Sequence, residues 1–344
     1  MTKVTIKDIA EKAGVSTTSV SFAFNDPARL SDGTVQRILE VAEELGYIPD
    51  PVARIMNTGR TCVLGVLVPQ PLPEIIRNPF LFELLEGIGE VCTSAGFSLM
   101  LVPPLEGSLR RAVINAAVDG FLTLGLEPFK STMMVLRQRG VPYVMIDTDP
   151  IEGVPAVNVT DQAGARAAMR HVLKAGHRKI TILAIRSGKE GRYREYVGTL
   201  RRRMDGYIAA LGEEGLAMDG EQIRLIECAS NARGGRDAFD DAWSARIQPT
   251  ALVAMSDIIA IGAMDAARER GVRIPKDLSI VGFDDIPAAS WVAPPLTTVA
   301  QPLRRKGRLA ADVLVRLIEE RAMPSHHLLR TRLMVRQTVD RPRA

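Results

Sequence analysis

Cysteine is scarce in this chain of 344 residues. Cys62, Cys92 and Cys228 are odd in number, far apart and without a C-x-x-C pair, which excludes a disulfide framework and a cysteine zinc site and points to reduced thiols. Histidine is almost as rare. Apart from the adjacent pair His326 and His327, the four histidines have no metal-ligand spacing, and neighbouring side chains diverge. No metal is expected. No apolar run approaches the roughly 18 to 20 residues of a membrane helix, and the opening Met-Thr-Lys-Val-Thr-Ile-Lys-Asp-Ile-Ala lacks the uninterrupted apolar stretch of a signal peptide. A cytoplasmic protein with no membrane partner follows. Charge of one sign is missing too: 44 Lys and Arg face 40 Asp and Glu, a net +4, so a nucleic-acid function has to rest on local residues. Glycine-rich phosphate loops, nucleophile elbows and metal-binding pairs are absent. The nearest approach, Gly87-Ile-Gly89-Glu-Val-Cys92, lacks the third glycine of a dinucleotide fingerprint and falls inside a helix pattern. Neither an enzyme nor a cofactor is expected.

What is present is enough apolar material, 46% of residues, for two or more folded units. Ile6, Ile9, Ala10 and Ala13 make one apolar helical face, and Thr5 with Asp8 has capping-box spacing. Gly14 suits a left-handed turn, Ser16 caps a second helix over Thr17 to Phe24, and Asn25-Asp26-Pro27 stops it. Ser31 opens a third helix that Gly46 ends. Pro49 and Pro51 then mark a hinge in which Val52 to Met56 makes one or two helical turns. From Cys62 onward short apolar runs alternate with amphipathic helices, with strands near Val63 to Val68, Ser98 to Val102, Gly120 to Leu124 and Tyr143 to Ile146. After a break around Thr148 to Ala156 the alternation resumes near Ile180 to Ala184, Ile223 to Ile226, Ala251 to Ala254 and Ser279 to Gly282, with late strands at Leu328 to Val335.

The fold class expected is an N-terminal all-α helix-turn-helix headpiece plus an α/β core of two doubly wound parallel-sheet lobes. A closed eight-stranded barrel is the competing architecture. The boundaries are 1–46 for the headpiece, 47–61 for the hinge, 62–160 with about 300–326 for one lobe, and 161–299 with about 327–340 for the other. Helix, tight turn and a second helix opening on small polar residues is the arrangement that lays a recognition helix in the DNA major groove. An ordinary helical hairpin reads the same way, and residues 1–60 hold seven Lys or Arg against eight Asp or Glu, so composition alone leaves both open.

The residues carry a resemblance. Val4-Thr-Ile-Lys-Asp-Ile-Ala-Glu-Lys-Ala-Gly-Val-Ser16, Ser19-Val-Ser21, Asn25, Leu45-Gly-Tyr-Ile-Pro49 and Val52-Ala53 resemble the headpiece and hinge of the lactose-repressor (LacI/GalR) family of bacterial transcription regulators. Asn78-Pro-Phe80, Gly176-His177-Arg-Lys-Ile180, Arg203-Met-Asp-Gly-Tyr207, Asp257-Ile-Ile-Ala-Ile-Gly262, Gly282-Phe-Asp-Asp285, Pro294-Pro-Leu-Thr-Thr298 and Gln301 resemble its periplasmic-binding-protein-like core. The likeness covers nearly the whole chain.

It implies a homodimeric repressor of sugar or sugar-acid utilisation genes, with double-stranded palindromic operator DNA and a small-molecule effector as partners. By the same resemblance Thr17, Thr18 and Phe22 face bases, while Thr5, Ser16, Ser21, Asn25, Arg29, Ser31 and Tyr47 approach phosphates. Ala53 and Met56 lie on the hinge, where Met56 matches a position that wedges into the minor groove. Phe22 departs from the Arg common there and offers only apolar contact, such as packing on a thymine methyl, or else helix-core packing. Phe80, Thr160, Asp161, Arg203, Ser256, Asp257, Asp284 and Gln301 are implied for the effector cleft. Ser256 replaces the usual Asn, and no aromatic stands near Ser230 to stack a sugar ring. Between Arg186 and Arg203 seven Lys or Arg face two Glu; this run reads either as a site for a sugar acid or sugar phosphate or as a solvated basic loop. The alternatives to a regulator are a binding protein without operator function and an α/β enzyme acting on a sugar or nucleotide.

Overall fold

The computed structural model describes residues 4–125, 131–187, 192–321 and 325–343. The chain divides into two compact units, Met1–Cys62 and Val63–Ala344.

In the first unit α1 (Ile6–Ala13) begins at Thr5, whose backbone N–H and hydroxyl donate to the Asp8 carboxylate at 2.7 and 2.8 Å. Those two bonds hold the Asp8 carboxyl below the usual range. Gly14, at φ 64°, makes the left-handed turn, and Ser16 Oγ accepts the Ser19 N–H at 3.0 Å to start α2 (Thr17–Asn25). With α3 (Asp32–Glu44) these helices enclose one small core of Ile9, Ala10, Ala13, Val20, Ala23, Ile38 and Ala42. The hinge helix α4 (Pro51–Thr58) is longer than the one or two turns expected. Proline fits its first position, where no N–H is needed, Asp50 accepts the Val52 N–H at 2.9 Å, and Gly59 ends it.

The second unit opens with β1 (Val63–Leu67), α5 (Leu72–Ile76), α6 (Pro79–Ala95), β2 (Ser98–Val102), α7 (Leu109–Asn115), β3 (Gly120–Leu124), α8 (Ser131–Arg139), β4 (Tyr143–Ile146) and β5 (Ala156–Val159). A second lobe follows with α9 (Asp161–Lys174), β6 (Ile180–Ile185), α10 (Gly198–Glu213), β7 (Ile223–Cys228), α11 (Ala232–Trp243), β8 (Ala251–Ala254), α12 (Asp257–Glu269), β9 (Ser279–Asp284), α13 (Ala288–Trp291) and β10 (Thr297–Ala300). Then α14 (Leu303–Ile318) and β11 (His326–Leu329) return to the first lobe, and β12 (Arg332–Met334) ends in the second.

Two six-stranded sheets result, ordered β11-β5-β4-β3-β1-β2 and β12-β10-β9-β8-β6-β7. Their strand pairs are parallel except β10 with β12. Helices cover both faces, so the strands read as continuous apolar runs instead of alternating ones. In each sheet the order reverses beside its first strand, at β1 and at β6, and the crevice beyond the carboxyl ends of the strands there is where open α/β sheets bind ligands. Two separate sheets leave no room for the closed-barrel alternative.

Strands β5 and β10 escaped the periodicity reading because polar residues interrupt both short runs, Asn158 in β5 and Thr297 and Thr298 in β10. Asn158 breaks the apolar run of β5 and instead ties down the Thr148 backbone through both its amide atoms, at 3.1 and 2.8 Å. The late strand region is two strands in different sheets, and the last crossing falls after Leu329, past the expected 326. Leu329 is buried in the first-lobe core, while Leu333 packs against that of the second. Thr331 donates its N–H to Thr160 Oγ1 at 2.9 Å, binding two crossings to each other.

Gly87 of the near-miss glycine motif is a packing residue. A Cβ there would lie 1.9 Å from the Arg304 carbonyl oxygen, and one on Gly307 of α14 would lie 2.1 Å from that of Leu84, whereas Gly89 faces open space. Gly87→Ala is therefore expected to destabilise the chain by about 1–3 kcal/mol, and Gly89→Ala to stabilise it by about 0.5–1 kcal/mol. Thermal unfolding of the two variants checks this, and equal shifts would refute the packing role.

Candidate functional site

On the headpiece, Thr17 and Thr18 stand exposed at the start of α2, and Ser16 is spent on the cap. Asn25 Nδ2 donates to the Ser21 carbonyl at 3.0 Å. Phe22 is half-buried, and the Arg29 guanidinium lies over its ring at 4.9 Å while Arg29 Nε is held by Asp26 at 2.7 Å. Arg29 is thus already engaged within the headpiece. The Ser31 hydroxyl pairs with that of Thr34 at 2.9 Å, and Tyr47 packs on Phe24 with ring centroids 5.6 Å apart. On α4, Ala53 is exposed, and Val52 and Met56, one turn apart, are 64% and 82% exposed. An apolar stripe this open on a short helix has nothing of its own unit to cover it.

In the second unit the expected cleft residues meet at the carboxyl ends of the strands. Arg203 points from α10 to the end of β9, where its guanidinium lies 3.7 Å over the Phe283 ring. Its Nε donates to Asp161 Oδ1 at 3.0 Å, Nη1 donates to the Met255 carbonyl, and Nη2 is 3.8 Å from Asp284 Oδ1. Burial works against this cation, but Asp161 and Asp284 outweigh it and leave Arg203 more firmly protonated than usual. Gln301 Nε2 donates to Asp284 Oδ1 at 2.7 Å, and Ser256 also bonds Asp284. Phe80, at the start of α6 in the first lobe, packs against the second-lobe core.

Two of the eight are turned to structural work. The Thr160 hydroxyl is committed to Thr331 at the crossing. Asp257, wholly buried, accepts the Ile286 N–H at 3.0 Å and bonds the Thr298 hydroxyl, fixing the loop after β9 from behind. Gly282 makes room for it, since a Cβ there would meet Asp257 Oδ1 at 2.1 Å. Burial first, and then the neighbouring Asp284 charge, push the Asp257 carboxyl up to about 8. Asp284 is also raised by burial, against the pull of Arg203, Gln301 and Lys306.

Four further residues complete the cleft. Lys306 on α14, fully buried, donates to Asp147 Oδ2 at 2.6 Å and to Gln301 Oε1 at 2.9 Å, with its ammonium 5.0 Å from the Phe80 ring centroid. Arg202 reaches Asp149 Oδ1 at 2.9 Å and Asp161 Oδ2 at 3.2 Å, and Asp149 Oδ2 accepts the Gly198 N–H at 3.0 Å. A continuous chain of hydrogen bonds, closed between Asp284 and Arg203 by an ion pair at 3.8 Å, therefore runs from Asp147 in the first lobe through Lys306, Gln301, Asp284, Arg203, Asp161 and Arg202 to Asp149, back in the first lobe. Two buried acceptors beside it, Asp147 Oδ1 and Thr123 Oγ1, have no partner among the described residues. Lys306 carried a readable signal: with Leu303, Gly307, Ala310 and Leu314 it occupies the buried face of α14, a core position that a lysine takes only when paired. Near Ser230, where no aromatic stands, a cavity of about 310 Å³ opens, lined by Arg186, Glu227, Asn231, Arg233 and Asp237 among others.

Residues 5–50 match the family model for bacterial regulatory proteins of the lacI family, and residues 169–339 match that of the periplasmic binding protein-like domain. The HTH-type transcriptional repressor PurR of Photobacterium profundum is 31% identical, with 92% of each chain covered. The chain belongs to the LacI family. Among solved structures, the Lac repressor dimer bound to operator and the anti-inducer ONPF is similar over 98% of this chain and 99% of that one, with a TM-score of 0.81 and 26% identity. The CelR–cellobiose complex is similar over 98% and 100%, with a TM-score of 0.71 and 27% identity. The chain is a LacI-family transcriptional repressor with an effector-binding domain, and its relatives are repressors, not enzymes. No helix among the described residues is long and apolar enough to cross a membrane.

For this LacI-family repressor Asp257 gives a pH signature. A carboxyl whose folded value is raised to about 8 binds its proton more tightly folded than unfolded, so its contribution is lost as pH rises from about 4 towards 8, by up to about 1.4 kcal/mol per pH unit. Asp257→Asn cannot titrate, and its amide oxygen can accept the Ile286 N–H while its amino group donates to the Thr298 hydroxyl oxygen. Its unfolding midpoint is expected to gain on the wild type steadily between pH 5 and pH 8; a constant difference would mean that Asp257 is ionised throughout.

Proposed function

We propose that the chain represses its target genes as a homodimer on a palindromic operator, and that its effector is a neutral, hydroxyl-rich sugar bound in the interlobe cleft. The observation that carries the effector class is the fate of the basic run. Lys189 and Glu190 lie outside the described residues, but Arg192 pairs with Glu195, Arg194 with Asp219, Arg201 with Asp205, Arg202 with Asp149 and Arg203 with Asp161. Five of the seven positive charges that could attract an anion are thus paired with carboxylates of the chain itself. What the cleft offers instead is acceptors, the carboxylates Asp284 and Asp147 with an unfilled Oδ1 on the latter, and these call for hydroxyl donors. The complex of the relative CelR with cellobiose, a neutral sugar, is in keeping with this. A second reading, an anionic sugar, rests on Arg186 and Arg233 at the 310 Å³ cavity, where Glu227, Asp237 and Asp241 oppose them.

The dimer has physical support in uncovered apolar surface. Phe82 on α6 and Trp291 on α13 are 53% and 79% exposed, and a two-fold partner buries the same faces of both copies. The same symmetry pairs two α4 helices through Val52 and brings both Met56 side chains to one base step, which such wedges unstack and bend. Thr17 and Thr18 then read major-groove edges, with Phe22 on a thymine methyl. The effector selects one lobe arrangement, and α4 passes that choice to the headpiece.

A thermal-shift screen against neutral sugars, sugar acids and sugar phosphates tests the effector class. A ligand at about 100 times its dissociation constant adds roughly 2.7 kcal/mol; selective stabilisation by an anionic sugar would overturn the neutral reading. Met56→Ala is expected to weaken operator binding about tenfold or more and to leave sugar binding unchanged, as read by fluorescence anisotropy and calorimetry. Loss of sugar binding in that variant would show that the hinge assignment is wrong.

A further inference from the structure

We propose that Lys306 is the positioning residue of the effector cleft: one buried ammonium aims the first-lobe carboxylate Asp147 directly and the second-lobe carboxylate Asp284 through Gln301. The inference deepens the effector reading above and rests on it for the ligand class.

The geometry assigns each atom a task. Lys306 is 0% exposed, and its Nζ meets Asp147 Oδ2 at 2.6 Å, Gln301 Oε1 at 2.9 Å and the face of Phe80 at 5.0 Å. An ammonium only donates, so Gln301 must turn its carbonyl oxygen to Lys306 and its amino group to Asp284, which it reaches at 2.7 Å. A Gln beside two carboxylates alone would have no such reason to choose one orientation. Asp147, at φ 56° in the turn after β4, spends one oxygen on Lys306 and keeps the other buried without a partner among the described residues. The two carboxylates stand on opposite lobes and are aimed by the same cation. Because α14 leaves the second lobe at Gln301 and packs in the first, both contacts hold together only in this lobe arrangement. Lys306 thereby makes acceptor alignment depend on closure.

The site is dense in charge, and every group bears on the test. From the second lobe Arg203, Asp284, Asp161, Arg202 and the buried carboxyl of Asp257 face the chain of bonds, with the Tyr207 hydroxyl, which has no partner among the described residues. From the first lobe come Asp147, Asp149 and Phe80. Removing the ammonium leaves Asp147 as a buried carboxylate with no cation within bonding distance, and burial then favours its protonated form.

The experiment compares full-length wild type, Lys306→Met, Asp147→Asn and the double variant by thermal unfolding at pH 6 and pH 8. Lys306→Met is expected to lower the midpoint by about 10 °C at pH 8 and by clearly less at pH 6, where the stranded carboxylate takes up a proton. Asp147→Asn in the Lys306→Met background should recover part of the loss and reduce its pH dependence, the remainder coming from Asp284, which also loses the pull of Lys306. Lys306→Gln, which retains an amide donor at the site, should show the same trend at smaller size and serves if Lys306→Met does not fold. Equal losses at both pH values, or effects of the two substitutions that simply add, would overturn the proposal. Titration with the neutral sugars and sugar acids of the screen supplies the second readout: Lys306→Met should lose at least about tenfold in affinity for the neutral ligand, and unchanged affinity would overturn the positioning role. The unfolding readout needs no effector, so failure of the neutral-sugar reading and failure of the Lys306 assignment are told apart.

Discussion

The effector-binding unit depends on a carboxylate that no water reaches. Asp161 at the start of α9 is 0% exposed, and its two oxygens are divided between consecutive arginines, Arg203 on Oδ1 and Arg202 on Oδ2. Burying Asp161 and Arg203 is tolerable only because each is bonded, with half-buried Arg202 as the second partner of Asp161, and removing Arg203 leaves Asp161 with one cation. Arg203 carries the chain of bonds forward to Asp284, and Arg202 carries it across the cleft to Asp149. A single carboxylate thus links the residues proposed to bind the effector with contacts between the lobes, and under that proposal a ligand that competes for Asp284 would act on both.

The lobes are joined by three crossings, and two of these are tied together by Thr160 and Thr331. The contacts between the lobes include a polar set around Asp147, Asp149, Lys306 and Arg202, and under the proposed function this set is what a change of lobe arrangement would alter. Such contacts are individually exchangeable with water or ligand hydroxyls, unlike the apolar cores of each lobe. The headpiece has a small core, and its hinge helix exposes Val52 and Met56, the residues that the proposed function covers with a partner copy and with DNA.

Much of this was legible in the sequence. The capping pair Thr5 and Asp8, the Gly14 turn and the Ser16 cap marked the helix-turn-helix because local hydrogen bonding sets those elements, and the apolar runs of β1, β3, β6, β8 and β9 stood out because both faces of a parallel sheet are buried. Strands β5 and β10 lack an unbroken apolar run, with Asn158 in one and Thr297 and Thr298 in the other, and the late strand region was read without its division between two sheets, which follows from pairing across long separations. In the cleft, Arg203, Asp284 and Gln301 were visible through family resemblance, whereas Lys306 and Asp147 lie 159 residues apart in the chain and are joined only by tertiary packing. The basic run before Arg203 left two readings open for the same reason. Charge was countable in the sequence, but Asp149, Asp161 and Asp219, which pair with Arg202, Arg203 and Arg194, were not near it there.

The central claim is that the interlobe cleft and the headpiece share one equilibrium, so that effector and operator bias the same lobe arrangement. The most direct test is calorimetric titration of the stabilising sugar into the full-length chain with and without an operator duplex, beside operator affinity measured with and without the sugar. Linkage requires the two affinities to change by the same factor. Equal factors clearly different from one are predicted; a sugar affinity identical in the presence and absence of operator would contradict the account.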